Sequence, residues 1–403
     1  MRAFVLFFVA AFAVRVVVAW ATGWHYVMRR TEMTEIARSL VVLGEYANPY
    51  FSVTGPTAHS TPLFPLFIAG MFELFGNRII GQAAVFLTTC AVCALRCALV
   101  PLFAADAGLD RRAALLAGAL SVFYIAALET EIGGGLDGPF VALALLAIAW
   151  MSLRLWRSGS WRDGTPWTFF ALCGVSALLN PQLLAPVVAF VAVAFCFCPV
   201  GARRILLRRS LTLAAFVFLC LLPWGIRNWK VLHSFILLRD NFGLELWLAN
   251  GPDRNVDLSN YSYWHPSANR NEAANVAELG EVRYNQAKLS EAIRWIRSNP
   301  AEFARLTGRR VFAWWFPPGS APVMAAKWLM TLLSFLGLVL LWRRHRLLAV
   351  LFAATWVALP ALYYVLSWSS RYRYPMEWQL VLCAAVCLTA IAARLTGDSE
   401  LVQ

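Results

Sequence analysis

Charge is scarce in this sequence: only 14% of its 403 residues are Asp, Glu, Lys or Arg. A soluble domain carries about a quarter. The shortage excludes an ordinary soluble enzyme. Several familiar motifs are also missing. There is no Walker-type phosphate loop, no dinucleotide-binding glycine pattern and no nucleophile elbow. A nucleotide-driven cytosolic enzyme is therefore not expected. His59, His233 and His265 lack metal-ligand spacing such as His-Glu-x-x-His, so no metal is expected either. The long polar loops contain no cysteine. All nine cysteines, at 90, 93, 97, 173, 196, 198, 220, 383 and 387, fall in apolar segments. They read as small buried hydrophobes, with no disulfide framework. No internal repeat or low-complexity segment is present. The first apolar run lacks a small-residue cleavage site and is not expected to be a removable signal.

What the chain has instead is apolar length, with 60% hydrophobic residues. Many segments approach the roughly 20 apolar residues that cross a bilayer. Spans are predicted near 3–22, 79–103, 111–128, 137–154, 166–180, 181–199, 210–228, 321–342, 347–366 and 376–393. The fold class is thus an all-α polytopic membrane protein with about ten spans. The split of 166–199 is placed at Asn180–Pro181, because proline starts helices well and disfavours helix in the residue before it.

The formal net charge is +13. That excess could point to nucleic acid, but its distribution argues otherwise. Arginines gather in short turns between apolar runs: Arg111–Arg112, Arg154/Arg157/Arg162, Arg203/Arg204/Arg208/Arg209 and Arg343/Arg344/Arg346. Such turns mark the cytoplasmic side. Both termini are then cytoplasmic, and two long loops, 23–78 and 229–320, face outward. Three parts follow: 1–228 with the first outer loop, 229–320 as an outer segment, and 321–403 as the last membrane helices.

The first outer loop has an apolar stripe, Met33, Ile36, Ala37, Leu40 and Leu43, at helical spacing, with Gly44 as its stop. This helix is expected to lie in the membrane interface, as is "LFIAGMFELFG" after the turn "TGPTAHSTPLFP". In the second loop a helix is expected over about 276–298. The next starts at Asn299, with Pro300 in its first turn and a capping box closed by Glu302. Asn260-Tyr261-Ser262 forms a glycosylation sequon, a triplet that also arises by chance.

Candidate chemistry lies at the mouths of the spans. Glu32 and Glu35 are either polar-face residues, with Glu35 paired to Arg38, or include a general base at Glu32. Apolar surroundings would raise the proton affinity of such a base. Asp137 before Gly138-Pro139 reads as a helix N-cap, a role compatible with catalysis. Glycines 133–135 permit close backbone approach, and Glu129 and Glu131 are expected on the same rim. Arg227, in "LLPWGIRNW", and Arg371 and Arg373, in "SWSSRYRYPMEW", are snorkelling anchors or a guanidinium cluster for a lipid phosphate. Arg15, in the middle of the first span, is costly there and is expected to face the bundle interior or to pair with a buried carboxylate.

The stretch "TEMTEIARSLVVLGEY…NPYFSVTGPTAHSTPLFPLF" resembles the first outer loop of the integral-membrane GT-C glycosyltransferases. These include the protein O-mannosyltransferases and lipid A aminoarabinose transferases. The chain is most similar to a bacterial branch described as dolichyl-phosphate-mannose-protein mannosyltransferase-like. "PWGIRNW", "RDNFGLELWLANGP" and "RYRYPMEW" look like further signatures of that branch. The resemblance implies a GT-C-type bundle in a bacterial inner membrane and a polyprenyl-phosphate sugar donor. It also implies an active site at the outer membrane face, with no metal or other cofactor. Glu32 and Asp137 become the catalytic candidates, and Arg227, Arg371 and Arg373 the donor-phosphate candidates. His59, Arg239, Asn241 and Asn250 become substrate-binding candidates. Two other readings are a flippase for lipid-linked sugars and a polymerase or ligase of polyprenyl-pyrophosphate glycans.

Overall fold

The computed structural model describes residues 2–23, 30–132, 137–158, 166–251 and 261–396. The glycine run 133–135, Arg162 and Asn260 of the sequon lie outside them. The described chain is helical, apart from an isolated bridge between Ala47 and Pro56. The helices before the outer segment are α1 (Arg2–Ala21), α2 (Glu32–Leu43), α3 (Leu63–Phe75), α4 (Ile79–Asp106), α5 (Arg111–Phe123), α6 (Ile125–Ile132), α7 (Gly138–Ser158), α8 (Trp167–Leu179), α9 (Leu184–Phe197) and α10 (Arg203–Leu232). The outer segment holds α11 (Phe242–Ala249), α12 (Tyr261–Trp264), α13 (Arg270–Leu279), α14 (Glu281–Ser298) and α15 (Pro300–Trp315). Then come α16 (Ala321–Arg344), α17 (Arg346–Ala358), α18 (Ala361–Val365), α19 (Ser370–Arg373) and α20 (Glu377–Thr396).

Seven helical stretches are long and apolar enough to cross a bilayer, and α5–α6, bent by 43°, makes an eighth if counted as one span. The protein is an integral membrane protein. The two remaining expected spans are α8 and α9, of 13 and 14 residues. At about 1.5 Å per residue each reaches only ~20 Å, short of the ~30 Å hydrocarbon core. The chain breaks at Asn180–Pro181 as the sequence predicts. Asn180 is extended (φ −158°), its side chain accepts from Gln182 N, and Pro181 opens a 3-10 turn, Pro181–Leu183.

The long helices approach closely. A Cβ at Gly337 of α16 would lie 1.8 Å from the Cys383 carbonyl oxygen of α20, so only glycine fits there. Charge also holds the bundle. Arg15 Nε of α1 lies 2.8 Å from Glu131 Oε2, and Arg96 Nη2 of α4 lies 2.8 Å from Glu131 Oε1. Tyr374 donates to the same carboxylate. Arg15 thus finds the carboxylate expected for it. Glu131 belongs to the buried interior rather than the rim, because the bilayer interior drives each arginine toward an anion. Glu129 pairs with Lys327 at 2.9 Å.

The first outer loop forms the two helices expected in it, α2 and α3. Ile36 and Ala37 of α2 are fully buried, and Gly44 is left-handed at φ 71°. Leu43 is 57% exposed and drops out of the buried stripe. The capping box at Asn299 does not form. Asn299 also ends α14, so its amide donates to the Trp295 carbonyl, while Glu302 pairs with Arg305. Cys196 lies exposed on α9 rather than buried.

Candidate functional site

The site forms where α2, the loop 45–62, the end of α8, the outer segment and α19 meet. Two clamps hold the loop. Arg227, near the end of α10, donates to the Thr57 carbonyl and the Tyr46 carbonyl, each at 2.7 Å, and stacks over Trp224. Glu281, at the start of α14, accepts from Ala58 N at 2.6 Å and from the Thr57 hydroxyl. Burial pushes the Glu281 carboxyl up to about 8 despite these hydrogen bonds, and Asp240 beside it up to about 6. These clamps fix His59, whose own N–H donates to Thr57 Oγ1.

His59 Nδ1 lies 2.9 Å from the Tyr50 hydroxyl. Tyr50, His59 and His265 form a triangle of rings with centroids 5.2–6.2 Å apart. Glu32 caps this triangle. Its Oε1 accepts from Ser267 Oγ at 3.2 Å and lies 3.8 Å from His265 Nε2. Arg371 lies within the electrostatic reach of both Glu32 and Asp137, and its Nη2 donates to Tyr372 at 3.0 Å. Asp137 accepts from Asn180 at 2.9 Å, so the break between α8 and α9 also orients this carboxylate. Beyond them Trp314, Tyr363 and Tyr372 stack in a row, with centroids 5.6 and 4.4 Å apart. Arg239 is near enough to Tyr46, Tyr363, Tyr372 and His59 to act on them electrostatically. Its Nε and Nη2 are buried without a hydrogen-bond partner.

The expected rise in the proton affinity of Glu32 is reversed. Burial favours its neutral acid, but His265, His59 and Arg371 outweigh that and hold the carboxyl down at about 2. Burial drives His59 down to about 3 against the field of Glu32, so at neutral pH its ring is uncharged.

Of the residues expected at a site, Glu32, Asp137, His59, Arg239 and Arg371 come together. Asn241 stands at the start of α11, its amide 3.4 Å from Glu245. Three others are used elsewhere. Arg373 is fully buried, and four of its five N–H donors are directed at the Trp314 and Trp315 carbonyls, Thr331 and Glu377. Asn250 is buried between the Leu246 and Val365 carbonyls and Arg310. Arg227 is occupied by the loop. Sequence reasoning missed His265, Ser267, Tyr50 and Asn180 as site residues. The His-Pro turn in "YWHPSAN" was the only signal for the first two.

Glu32, His59 and His265 each offer one ligand atom within 4.8 Å of the others. The protonation pattern does not fit a cation. His265 Nδ1 accepts from Ser267 N at 3.1 Å, so the neutral ring carries its proton on Nε2, the atom turned to Glu32. A metal at Nε2 would require that proton to move and the Ser267 bond to break.

No protein-family profile matches the sequence, and no curated protein matches it. Solved structures do match in fold. The Archaeoglobus fulgidus oligosaccharyltransferase in the apo form superposes with a TM-score of 0.58 at 13% identity, over 99% of this chain and 51% of that one. Its complex with Zn and sulfate gives 0.54 at 13% identity, over 98% and 49%. Archaeal oligosaccharyltransferase AglB from the same organism, in complex with an inhibitory peptide and a dolichol-phosphate, gives 0.52 at 13% identity, over 97% and 51%. The chain spans about half the length of these proteins and shares their membrane fold.

Proposed function

We propose that the protein is a membrane glycosyltransferase that moves a sugar from a polyprenyl-phosphate donor to an acceptor at the outer membrane face. One observation carries this reading. An ionised carboxylate, Glu32, stands beside a cluster of cationic and neutral donors, Arg371, Arg239 and His265, at one end of a membrane bundle. That pairing suits a reaction in which an acceptor O–H attacks an anomeric carbon. The bond from that carbon to the lipid phosphate oxygen breaks, and the phosphate leaves with the electron pair. Arg371 and Arg239 are assigned to the leaving phosphate, where fixed cations stabilise developing charge. Arg227 and Arg373 become positioning residues that hold the His59 loop and the start of α20.

Glu32 accepts the acceptor's proton. In the free protein the neighbouring cations make it a weak base. A phosphate seated on Arg371 would cancel part of that field and raise the proton affinity of Glu32 when the donor is bound. Asp137, oriented by Asn180, is assigned to the sugar hydroxyls or the acceptor. The mechanism uses no metal. The oligosaccharyltransferase solved with Zn supports a second reading, a cation on Glu32, His59 and His265. Dialysis against a chelator separates the two: activity is expected to survive it. Loss of activity restored by zinc would favour the cation.

The arginine-rich turns lie at the opposite end of the helices from this site, which supports an outward-facing site; a bacterial inner membrane is proposed from the sequence resemblance alone. The test is to incubate the purified protein in lipid discs with a panel of polyprenyl-phosphate sugars and polyprenyl-pyrophosphate glycans. Consumption of a monophosphate donor is the expected result. Consumption of pyrophosphate glycans alone would make it a polymerase or ligase. Movement of an intact lipid-linked sugar across vesicles without consumption would make it a flippase.

A further inference from the structure

At the end of the bundle remote from the candidate site, a cavity of about 500 Å³ opens between the α4–α5 turn, the last turn of α16 and the last turns of α20. Three arginines line it, Arg343, Arg344 and Arg394, together with His345. Among the described residues the carboxylate in its lining is Asp110, which already caps α5 by accepting from Arg112 N and Ala113 N. The inner wall is apolar, with Leu341 and Val386. Just outside, Val339 of α16 and Ile391 of α20 are about half exposed, continuing the apolar surface along both helices.

We propose that this cavity binds the headgroup of an anionic phospholipid. Arg343 and Arg394 face one space whose Asp110 carboxylate is already engaged by backbone N–H groups, and this arrangement suits a phosphate diester. The apolar wall and the flanking surface give the acyl chains a track that a free anion would not use. A zwitterionic headgroup would bring its own cation against the arginines. The lipid is distinct from the proposed sugar donor. The α20 residues that line the cavity, Val386 to Arg394, stand roughly 14–26 Å along the helix from its start at Glu377, and Arg371 lies before that start. The two sites therefore lie at opposite membrane faces, and the inference does not depend on the proposed reaction.

Native mass spectrometry of the full chain, released from micelles containing equal phosphatidylglycerol and phosphatidylcholine, tests this. Wild type should retain phosphatidylglycerol preferentially. Arg343→Gln with Arg394→Gln should lower retention roughly 30-fold, about fivefold per arginine at a membrane surface. Both side chains are exposed, so folding should persist. Thr389→Trp, which fills the cavity and keeps its charges, should lower retention as well. Arg203→Gln with Arg204→Gln, exposed in another arginine-rich turn, should leave it unchanged. Equal retention of the two lipids, an unaffected cavity variant or an equal loss in the control pair would overturn the proposal. Displacement of phosphatidylglycerol by millimolar inorganic phosphate would assign the cavity to a free anion instead.

Discussion

Glu32 and Glu35 are one helical turn apart on α2, but only Glu32 reaches the histidines. Glu35 is held by Arg30 at 2.5 Å and Arg38 at 2.7 Å. Glu32→Gln should therefore keep the fold and donor binding while transfer falls by roughly 10²–10⁴, the usual worth of a positioned acid–base group. Glu35→Gln should leave transfer near wild type. Wild-type turnover in Glu32→Gln would remove that carboxylate from the mechanism. The two arginines of "RYRYP" should part in the same way. Arg371→Ala should weaken donor binding by about 1.5–3 kcal/mol, the range for hydrogen bonds to a charged group. Arg373→Ala leaves Glu377 buried without its partner and should instead lower the melting temperature, in line with about 3–5 kcal/mol for a broken buried pair. Equal donor affinity in wild type and Arg371→Ala would return Arg371 to the aromatic surface as an anchor.

At the scale of elements, the outer segment holds the membrane-side loop through one carboxyl. Glu281 of α14 grips the backbone just before His59, and its folded proton affinity is raised to about 8. A raised carboxyl stabilises the fold most at pH below its unfolded value, near 4.5, and that contribution is lost as pH climbs through about 8. Thermal stability should thus fall between pH 6 and pH 9, and Glu281→Gln should flatten the decline. An identical decline in the variant would place the titrating group elsewhere. This clamp was not legible in the sequence, because it joins Thr57 to a residue over two hundred positions away. Signals carried by local pattern were legible: the α2 stripe, Gly44, the Asn180–Pro181 break and the start of α15. The Asn299 capping box failed for a local reason too, since one residue both ends α14 and begins α15. For the site, pattern located Glu32, Asp137 and Arg371. It could not distinguish Arg371 from Arg373, because which guanidinium turns inward depends on the carbonyls of Trp314 and Trp315. It also could not fix the charge state of Glu32, which depends on His59, His265 and Arg371 brought together from three separate segments.

For the molecule as a whole, the ends of the helices sort by charge, with the arginine-rich turns at one end and the site at the other. Single cysteines introduced at the exposed positions Arg270 and Arg346 should label from opposite sides of a sealed membrane, Arg270→Cys from outside. Labelling of both from one side would overturn the arrangement. The buried cluster around Glu131 also constrains how the protein is made. Arg15 leaves the ribosome within the first helix, while its carboxylate partner follows roughly a hundred residues later. Until α6 arrives, α1 carries an arginine in the bilayer with no anion beside it. At about 5–20 residues per second that interval lasts roughly 6–23 seconds. The first helix therefore enters the membrane as a provisional passenger. Its final depth is fixed only when Glu131 is delivered, so chains arrested before that point should be the ones that cellular quality control removes.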